Sequence, residues 1–286
     1  MNITVVKVGG AIVEDEAQLQ QLISDFSRIE GPKVLVHGGG RRATKIAAQL
    51  GIESHMVGGR RITDSDMLSV VTMVYGGLVN KHLVAMLQAQ GVNAVGLTGA
   101  DMDVIRSHRR PLKKMVVDGE EKMIDFGFVG DVDRADGRTL AMLLSQGITP
   151  VIAPLTHDGQ GNILNTNADT MASEVAKALA NIDIEGAIEH TTPTTQHPTP
   201  NTQHPEVTLI YSFEKRGVLS NPDDDDSVIP VITHESFEAY KADGTISGGM
   251  LPKIENALAA VDAGVSRVII TLATAIDGNA GTVIRK

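Results

Sequence analysis

The sequence contains no cysteine and no tryptophan. Without thiols, disulfides, thiolate metal sites and cysteine nucleophiles are excluded, and a reducing, cytoplasmic setting is expected. Aromatic residues make up only 3% of the 286 positions, so the core must come from Ala, Val, Ile and Leu, as in α/β proteins. Positive charge is also scarce: 25 Lys and Arg face 35 Asp and Glu, a net charge of −10. That balance disfavours nucleic acid and anionic membranes as partners, so an anionic substrate must be met by local cations. The first residues, Met1–Thr4, carry neither a basic leader nor a signal-like apolar run, and no segment reads as membrane-spanning. The chain is long enough for one or two domains.

What is present starts with Thr4-Val5-Val6-Lys7-Val8-Gly9-Gly10-Ala11. Four β-branched residues predict a buried strand, with a lysine near its carboxyl end followed by two glycines. A lysine is costly to bury alone, and ligands of open α/β sheets bind at the carboxyl ends of strands. Glycines there bring free N–H groups close to an anion, which suggests phosphate. A snorkelling edge-strand lysine before an ordinary turn remains the plainer alternative.

Helical spacing over Glu14–Ile29, ended by Gly31-Pro32, leads to a strand over Lys33–Val36. It runs into His37-Gly38-Gly39-Gly40 and a helix over Arg41–Leu50, a second glycine turn backed by a helix amino terminus. Neither turn has the spacing of the dinucleotide or P-loop fingerprints, so neither mechanism is imported. Arg60-Arg61 precede Thr63, which with Asp66 resembles a capping box opening a long helix through Leu87. An arginine so placed can grip a carboxylate in a fork or simply face solvent.

Asn93–Leu97 reads as a strand, Val104–Val132 as hairpins, Ala135–Gln146 as a helix and Thr149–Ala153 as a strand. The basic run from Arg106 to Lys114 lacks interleaved aromatics and reads as a solvated hairpin, not a nucleic-acid patch. Asn165-Thr166-Asn167-Ala168-Asp169 opens a helix from Thr170 to Ala180; Asn167 suits a cap, while Asn165 and Asp169 suit a ligand site. Residues 189–205, rich in Pro and Thr, cannot pack a core and read as a flexible insert. Its His190, His197 and His204 have no acidic partners, and no metal site is expected. Beyond it come strands over Val207–Tyr211, Val265–Thr271 and Gly281–Ile284 and helices over Glu235–Ala242 and from Pro252 to Ala263. Gly248-Gly249-Met250-Leu251-Pro252-Lys253 opens the last helix and again suits an anion.

Five stretches taken in order, Lys7–Gly10, His37–Gly40, Gly59–Thr63, Asn165–Asp169 and Gly248–Lys253, resemble the amino acid kinase family, and within it the enzymes acting on N-acylated glutamate. The resemblance spans nearly the whole chain except the 189–205 insert. It implies an α/β fold, a three-layer αβα sandwich with a mostly parallel central sheet. Residues 1–180 would bind the acylglutamate and 181–286 ATP with Mg2+. It implies transfer of the γ-phosphoryl to the side-chain carboxylate of N-acetylglutamate, a step of arginine biosynthesis. Lys7 would stabilise the transferring phosphoryl, Lys253 the leaving phosphates, and Asp169 would orient both. Gly9, Gly10 and Gly249 would serve the phosphates and Gly39 and Gly40 the acceptor, whose α-carboxylate Arg61 and Asn165 would hold. Alternatives are N-succinylglutamate as acceptor, another substrate of the family, or a non-catalytic ATP or amino-acid sensor.

One point follows from chemistry alone. A carboxylate with a pKa near 4 is already ionised, so no general base is needed and His37 is expected to be structural. Tyr211–Val218 departs from the family's Ser-Asp-Val-like stretch. Arginine-inhibited members carry a helix ahead of the first strand; Lys7 lies too near Met1 for one, so a homodimer without such inhibition is expected.

Overall fold

Runs of Val, Leu and Ile with no polar alternation form strands buried on both faces, which is how the middle of a parallel sheet is built. In the computed structural model, which describes residues 1–117, 119–183 and 204–286, eight strands form one sheet. They are β1 (Asn2–Val8), β2 (Lys33–His37), β3 (Ala94–Leu97), β4 (Thr149–Ile152), β5 (Glu206–Phe213), β6 (Val231–Ile232), β7 (Arg267–Leu272) and β8 (Thr282–Ile284). Their order is β6-β8-β7-β5-β1-β2-β4-β3, and the β7–β8 pair alone is antiparallel. Helices α1 (Gly10–Glu14), α2 (Glu16–Arg28), α3 (Gly40–Gln49), α4 (Ser65–Val71) and α5 (Asn80–Ala89) pack on one face. Helices α6 (Gly137–Ser145), α7 (Ala168–Ala180), α8 (His234–Ala242) and α9 (Met250–Asp262) pack on the other. This is the expected αβα sandwich.

Strand alternation decides which layer each side chain meets. Ile3 and Val5 of β1 join the core beneath α7 and α9, whereas Val6 and Val8 join the core beneath α1–α5. Lys7 shares the parity of Val5 and so belongs to the α7–α9 side. That parity brings the lysine to the side on which α7 and α9 begin.

Several boundaries differ from the sequence reading. The first helix is broken into α1 and α2 at Asp15, whose side chain caps α2 by accepting from Gln18 N at 3.0 Å. Thr63 does not cap α4. Asp64 does, accepting from Met67 N at 2.8 Å, while Thr63 is fully buried and bonded to the 126–128 loop through its backbone. The capping-box expectation failed because Asp64 and Thr63 are both good caps, and long-range pairing claimed Thr63. Between α4 and α5 the helix widens into a π segment, Thr72–Val79. The merged helix Ser65–Ala89 is long and apolar enough to span a membrane by length and composition, contrary to the expectation from sequence. Met67, Val70, Val71, Val74, Leu83 and Leu87 on its inner side are buried in the core.

The expected antiparallel pairings are present outside the main sheet: Ile105–Arg109 pairs with Gly130–Ala135 in a four-stranded sheet, and Lys113–Val117 with Glu120–Ile124 in a two-stranded one. Most of the 189–205 stretch, with His190 and His197, lies outside the described residues. His204 is described, its Nδ1 lying 3.0 Å from the Ile182 carbonyl oxygen.

His37 closes β2 and is fully buried. A carbonyl only accepts, so its Nδ1 donates to Gly38 O at 2.8 Å; Nε2 then accepts from Asn80 Nδ2 at 3.2 Å, which also reaches Val151 O at 2.9 Å. Gly96 makes room for this lock, since a Cβ there would sit 1.9 Å from Asn80 Oδ1. The sheet edge and the long helix are thus held together by a neutral imidazole, and burial lowers its pKa from 6.5 to about 4. The unfolded chain takes up this proton near 6.5 and the folded chain only near 4, so stability falls as pH drops through that window. The expected loss from His37 is about 3 kcal/mol. Urea unfolding between pH 7 and pH 4.5 checks this: a His37→Gln variant, weaker at pH 7, should show a shallower decline than the parent.

Candidate active site

At the carboxyl edge of the sheet, three charges from distant parts of the chain converge. Lys7 Nζ lies 2.8 Å from Asp169 Oδ1, and Lys253 Nζ lies 3.6 Å from Asp169 Oδ2. Their side chains are 12%, 26% and 16% exposed for Lys7, Asp169 and Lys253. Asp169 stands in the first turn of α7, whose positive dipole end favours a carboxylate there. Asn167 caps that helix, accepting from the N–H groups of Asp169 and Thr170 at 2.8 and 3.0 Å, as expected from sequence. Lys253 lies in the first turn of α9 and over the rings of Phe213 and Tyr211, 4.8 and 5.7 Å from their centroids. Tyr211 stands opposite Lys7 in the β1–β5 register.

Burial opposes ionisation of Asp169, but the charges of Lys7 and then Lys253 outweigh it and hold the carboxyl below the ordinary range. Burial lowers the Lys253 pKa, with Asp169 pulling the other way. Two ammonium groups on one carboxylate leave a local surplus of one positive charge at two helix amino termini. In a chain of net charge −10 this is the local field that a polyphosphate requires.

The two glycine turns pack back to back. A Cβ on Gly10 would lie 3.4 Å from both Gly39 N and Gly40 N, and one on Gly38 would lie 3.1 Å from Gly10 N. Gly38 N donates to Val8 O at 2.9 Å, tying the second turn to the end of β1. Gly9 adjoins Lys7, whose Nζ would be 3.9 Å from a Cβ on that glycine. Gly9 and Gly39 precede α1 and α3, so the unpaired first-turn N–H groups of both helices open onto the same edge. Gly249 precedes α9 in the same manner, with open space around its Cα.

Beside the glycine turns lies a cavity of 220 Å³, lined by Gly39, Gly40, Arg61 and Asn165 among others. The Asn165 amide nitrogen donates to Thr63 Oγ1 at 2.9 Å, which fixes its orientation. Arg61 reaches across to α3, donating to Gly40 O at 3.0 Å and Thr44 Oγ1 at 2.8 Å and to Ser54 Oγ. Lys7, Asp169 and Lys253 thus lie near Gly39, Gly40, Arg61 and Asn165 at one sheet edge.

Arg110 was missed from sequence. The basic run is not solvated throughout: Arg110 is 10% exposed, paired with Asp131, and lines this cavity together with Arg60. The Arg109 and Lys114 side chains of the same run do face solvent, paired with Asp125 and Glu121. Spacing gave no hint, because Asp131 lies 21 residues further along the chain. A second cavity of 200 Å³, lined by Phe213, Val218, Leu219, Ile246 and Met250 among others, adjoins the start of α9. A larger one of 900 Å³ opens at the opposite edge near Thr4, Arg28 and Arg267, away from the lysines. Among the described residues no group of three or more His, Cys, Asp and Glu could hold a metal ion.

A carboxylate carrying two lysines, flanked by three helix amino termini on a parallel αβα sheet, defines a phosphoryl-transfer type of site. The model of the Amino acid kinase family matches residues 2–181, and the chain belongs to that family. Among its relatives, one from Bacteroides thetaiotaomicron named acetylglutamate kinase is 60% identical, over 99% of this chain and 98% of its own. Another of that name from Phocaeicola vulgatus is 59% identical, with the same coverage, and one from Methanopyrus kandleri is 36% identical over 98% of this chain and 99% of its own. Of solved structures, a Streptococcus mutans protein superposes with a TM-score of 0.69 at 27% identity, over 99% of this chain and 98% of its own. An N-acetylglutamate synthase from Neisseria gonorrhoeae shares the fold with a TM-score of 0.73 at 22% identity, over 99% of this chain and 59% of its own.

Two glycines of the site should respond differently to alanine. A Cβ on Gly39 would lie 2.8 Å from Tyr75 Cδ1, whereas on Gly249 it would meet nothing within 4 Å. Gly39→Ala is expected to cost about 1–3 kcal/mol through overpacking, and Gly249→Ala less than about 0.5 kcal/mol. Urea midpoints of the two variants against the parent measure the difference.

Proposed function

We propose that the protein transfers the γ-phosphoryl group of ATP to the side-chain carboxylate of N-acetyl-L-glutamate, giving N-acetyl-L-glutamyl 5-phosphate in arginine biosynthesis. The observation that carries this reading is the Lys7–Asp169–Lys253 cluster placed next to the Arg61–Asn165 cavity. Relatives named acetylglutamate kinase at 59–60% identity over nearly their full length support the choice of acceptor.

In this reading a carboxylate oxygen of the acceptor attacks the γ-phosphorus, the bond from that phosphorus to the β-γ bridging oxygen breaks, and ADP leaves. The nucleophile is ionised at neutral pH, so the site supplies position and positive charge instead of a base. Lys7, at the end of β1, stabilises the phosphoryl group in flight, and Lys253 with the α9 amino terminus and Gly249 takes the charge that builds on the leaving phosphates. Asp169 holds both ammonium groups in place. Gly9 and Gly10 present N–H groups to the phosphates, and Gly39 and Gly40 to the acceptor. Arg61 and Asn165 bind the acceptor's α-carboxylate. The 200 Å³ apolar cavity beside α9 suits the nucleotide base. Magnesium arrives with ATP as part of the substrate. Apart from Lys7, Gly9, Gly10 and Asp169, which meet the phosphates or the lysines that do, residues up to 180 then serve the acceptor and those from 181 onward the nucleotide.

Arg60, exposed at the cavity rim, gives a specific reason to test N-succinylglutamate as the acceptor, because that compound carries one more carboxylate. The same reading includes a cytoplasmic homodimer, for which exposed Met73 and Leu78 on the π segment offer apolar surface; light scattering measures its mass.

The deciding experiment is ATP- and magnesium-dependent acyl phosphate formation trapped with hydroxylamine, run with N-acetylglutamate and N-succinylglutamate in parallel. Turnover with N-acetylglutamate is expected. Lys7→Ala and Asp169→Ala should each lower kcat by about 100-fold or more, the usual effect of removing a preorganised charge from a transition state. Unchanged turnover in both variants overturns the assignment of the site, and absence of turnover in the folded parent with either compound overturns the reaction.

A further inference from the structure

Tyr75 sits in the π-helical segment Thr72–Val79, a geometry that concentrates at functional sites. Its ring lies directly on the second glycine turn: a Cβ on Gly39 would come within 2.8 Å of Cδ1 and 3.0 Å of Cε1. A side chain on Gly39 would strike this ring. The residue is 5% exposed, yet it lines the 220 Å³ cavity shared by Arg61 and Asn165.

The hydroxyl end of the ring points the same way as Arg61. From a Cβ on Gly40, Tyr75 Oη would be 3.9 Å away and Arg61 Nη2 4.0 Å away. Burial pushes the phenol above its ordinary pKa, against the nearby Arg61 charge, so it keeps its proton across the neutral range. A guanidinium carries donors only, so towards Arg61 the phenol oxygen can only accept. Its own hydrogen is then left for another acceptor, and Tyr75 lines the cavity together with Arg61. An anionic oxygen is the acceptor that gains most from a phenol and a guanidinium side by side.

We propose that Tyr75 is a substrate-binding residue whose hydroxyl donates a hydrogen bond to the acceptor carboxylate held beside Arg61. This rests on the acylglutamate kinase reading and adds a residue to it. The π segment serves the same end, since it carries Tyr75 between the core and the Gly39–Gly40 turn. Tyr75 thereby joins the wall of the turn to the recognition of the ligand.

Tyr75→Phe keeps the ring on Gly39 and removes only the hydroxyl. Steady-state kinetics should show KM for N-acetylglutamate raised about tenfold or more, the usual effect of losing a hydrogen bond to a charged group. kcat should stay within about threefold, and KM for MgATP and the thermal midpoint should be unchanged, as for loss of ground-state binding to one substrate. An unaltered KM for the acceptor overturns the proposal, as does a fall in thermal midpoint with both KM values moving together, which marks a packing role. An inactive parent overturns the kinase reading itself and this inference with it, an outcome separate from an active parent with an indifferent variant.

Discussion

One carboxylate holding two ammonium groups fixes the layout of this protein. Asp169 can be shared by Lys7 and Lys253 only if β1 ends where α7 and α9 begin, and the sheet order places β5 beside β1. Each partner would be expensive to bury alone, and the cost of removing one is the uncompensated charge of the others. The site therefore depends on the whole sandwich. Loss of the carboxylate would leave two cations facing each other beside Tyr211 and Phe213.

The first principles of the sheet explain much of what could be read from the sequence. Lys7 was legible because a lysine following buried β-branched residues contradicts its surroundings, and because glycines follow it. Asn167 was legible as a cap, and the α/β layering followed from alternating strands and helices. The separation between the two halves of Asp169's partnership was not: Lys7 and Lys253 lie 246 positions apart, and no local pattern reports that they meet. Only the resemblance of five ordered stretches to a family suggested it.

What stayed hidden is of one kind. Arg110 looked like part of a solvated basic run until Asp131 and the Phe126 ring took it inward. Thr63 looked like a cap until Asn165 and the 126–128 loop claimed it. Tyr75 lay inside the stretch expected as one long helix, and its place is set by a π turn and a glycine 36 positions earlier. In each case a residue with an adequate local role was recruited by a distant partner. Local propensity states what a residue can do, and tertiary contacts choose among those roles.

The chemistry of the nucleophile accounts for what the site leaves out. An ionised carboxylate needs no proton removed, so a titrating base beside it would add only a competing acceptor for the phosphoryl group. His37 occupies a place where a base could stand, at the end of β2 beside the Gly38–Gly40 turn. Burial instead keeps it neutral, with both ring nitrogens engaged by Gly38 and Asn80. Its contribution is rigidity of the Gly38–Gly40 turn, which it ties to Asn80. At the proposed site Lys7, Lys253, Arg61 and the glycine N–H groups are donors or cations, and Asp169 is the one carboxylate among them, which is the arrangement expected when charge, and not a proton, is what moves.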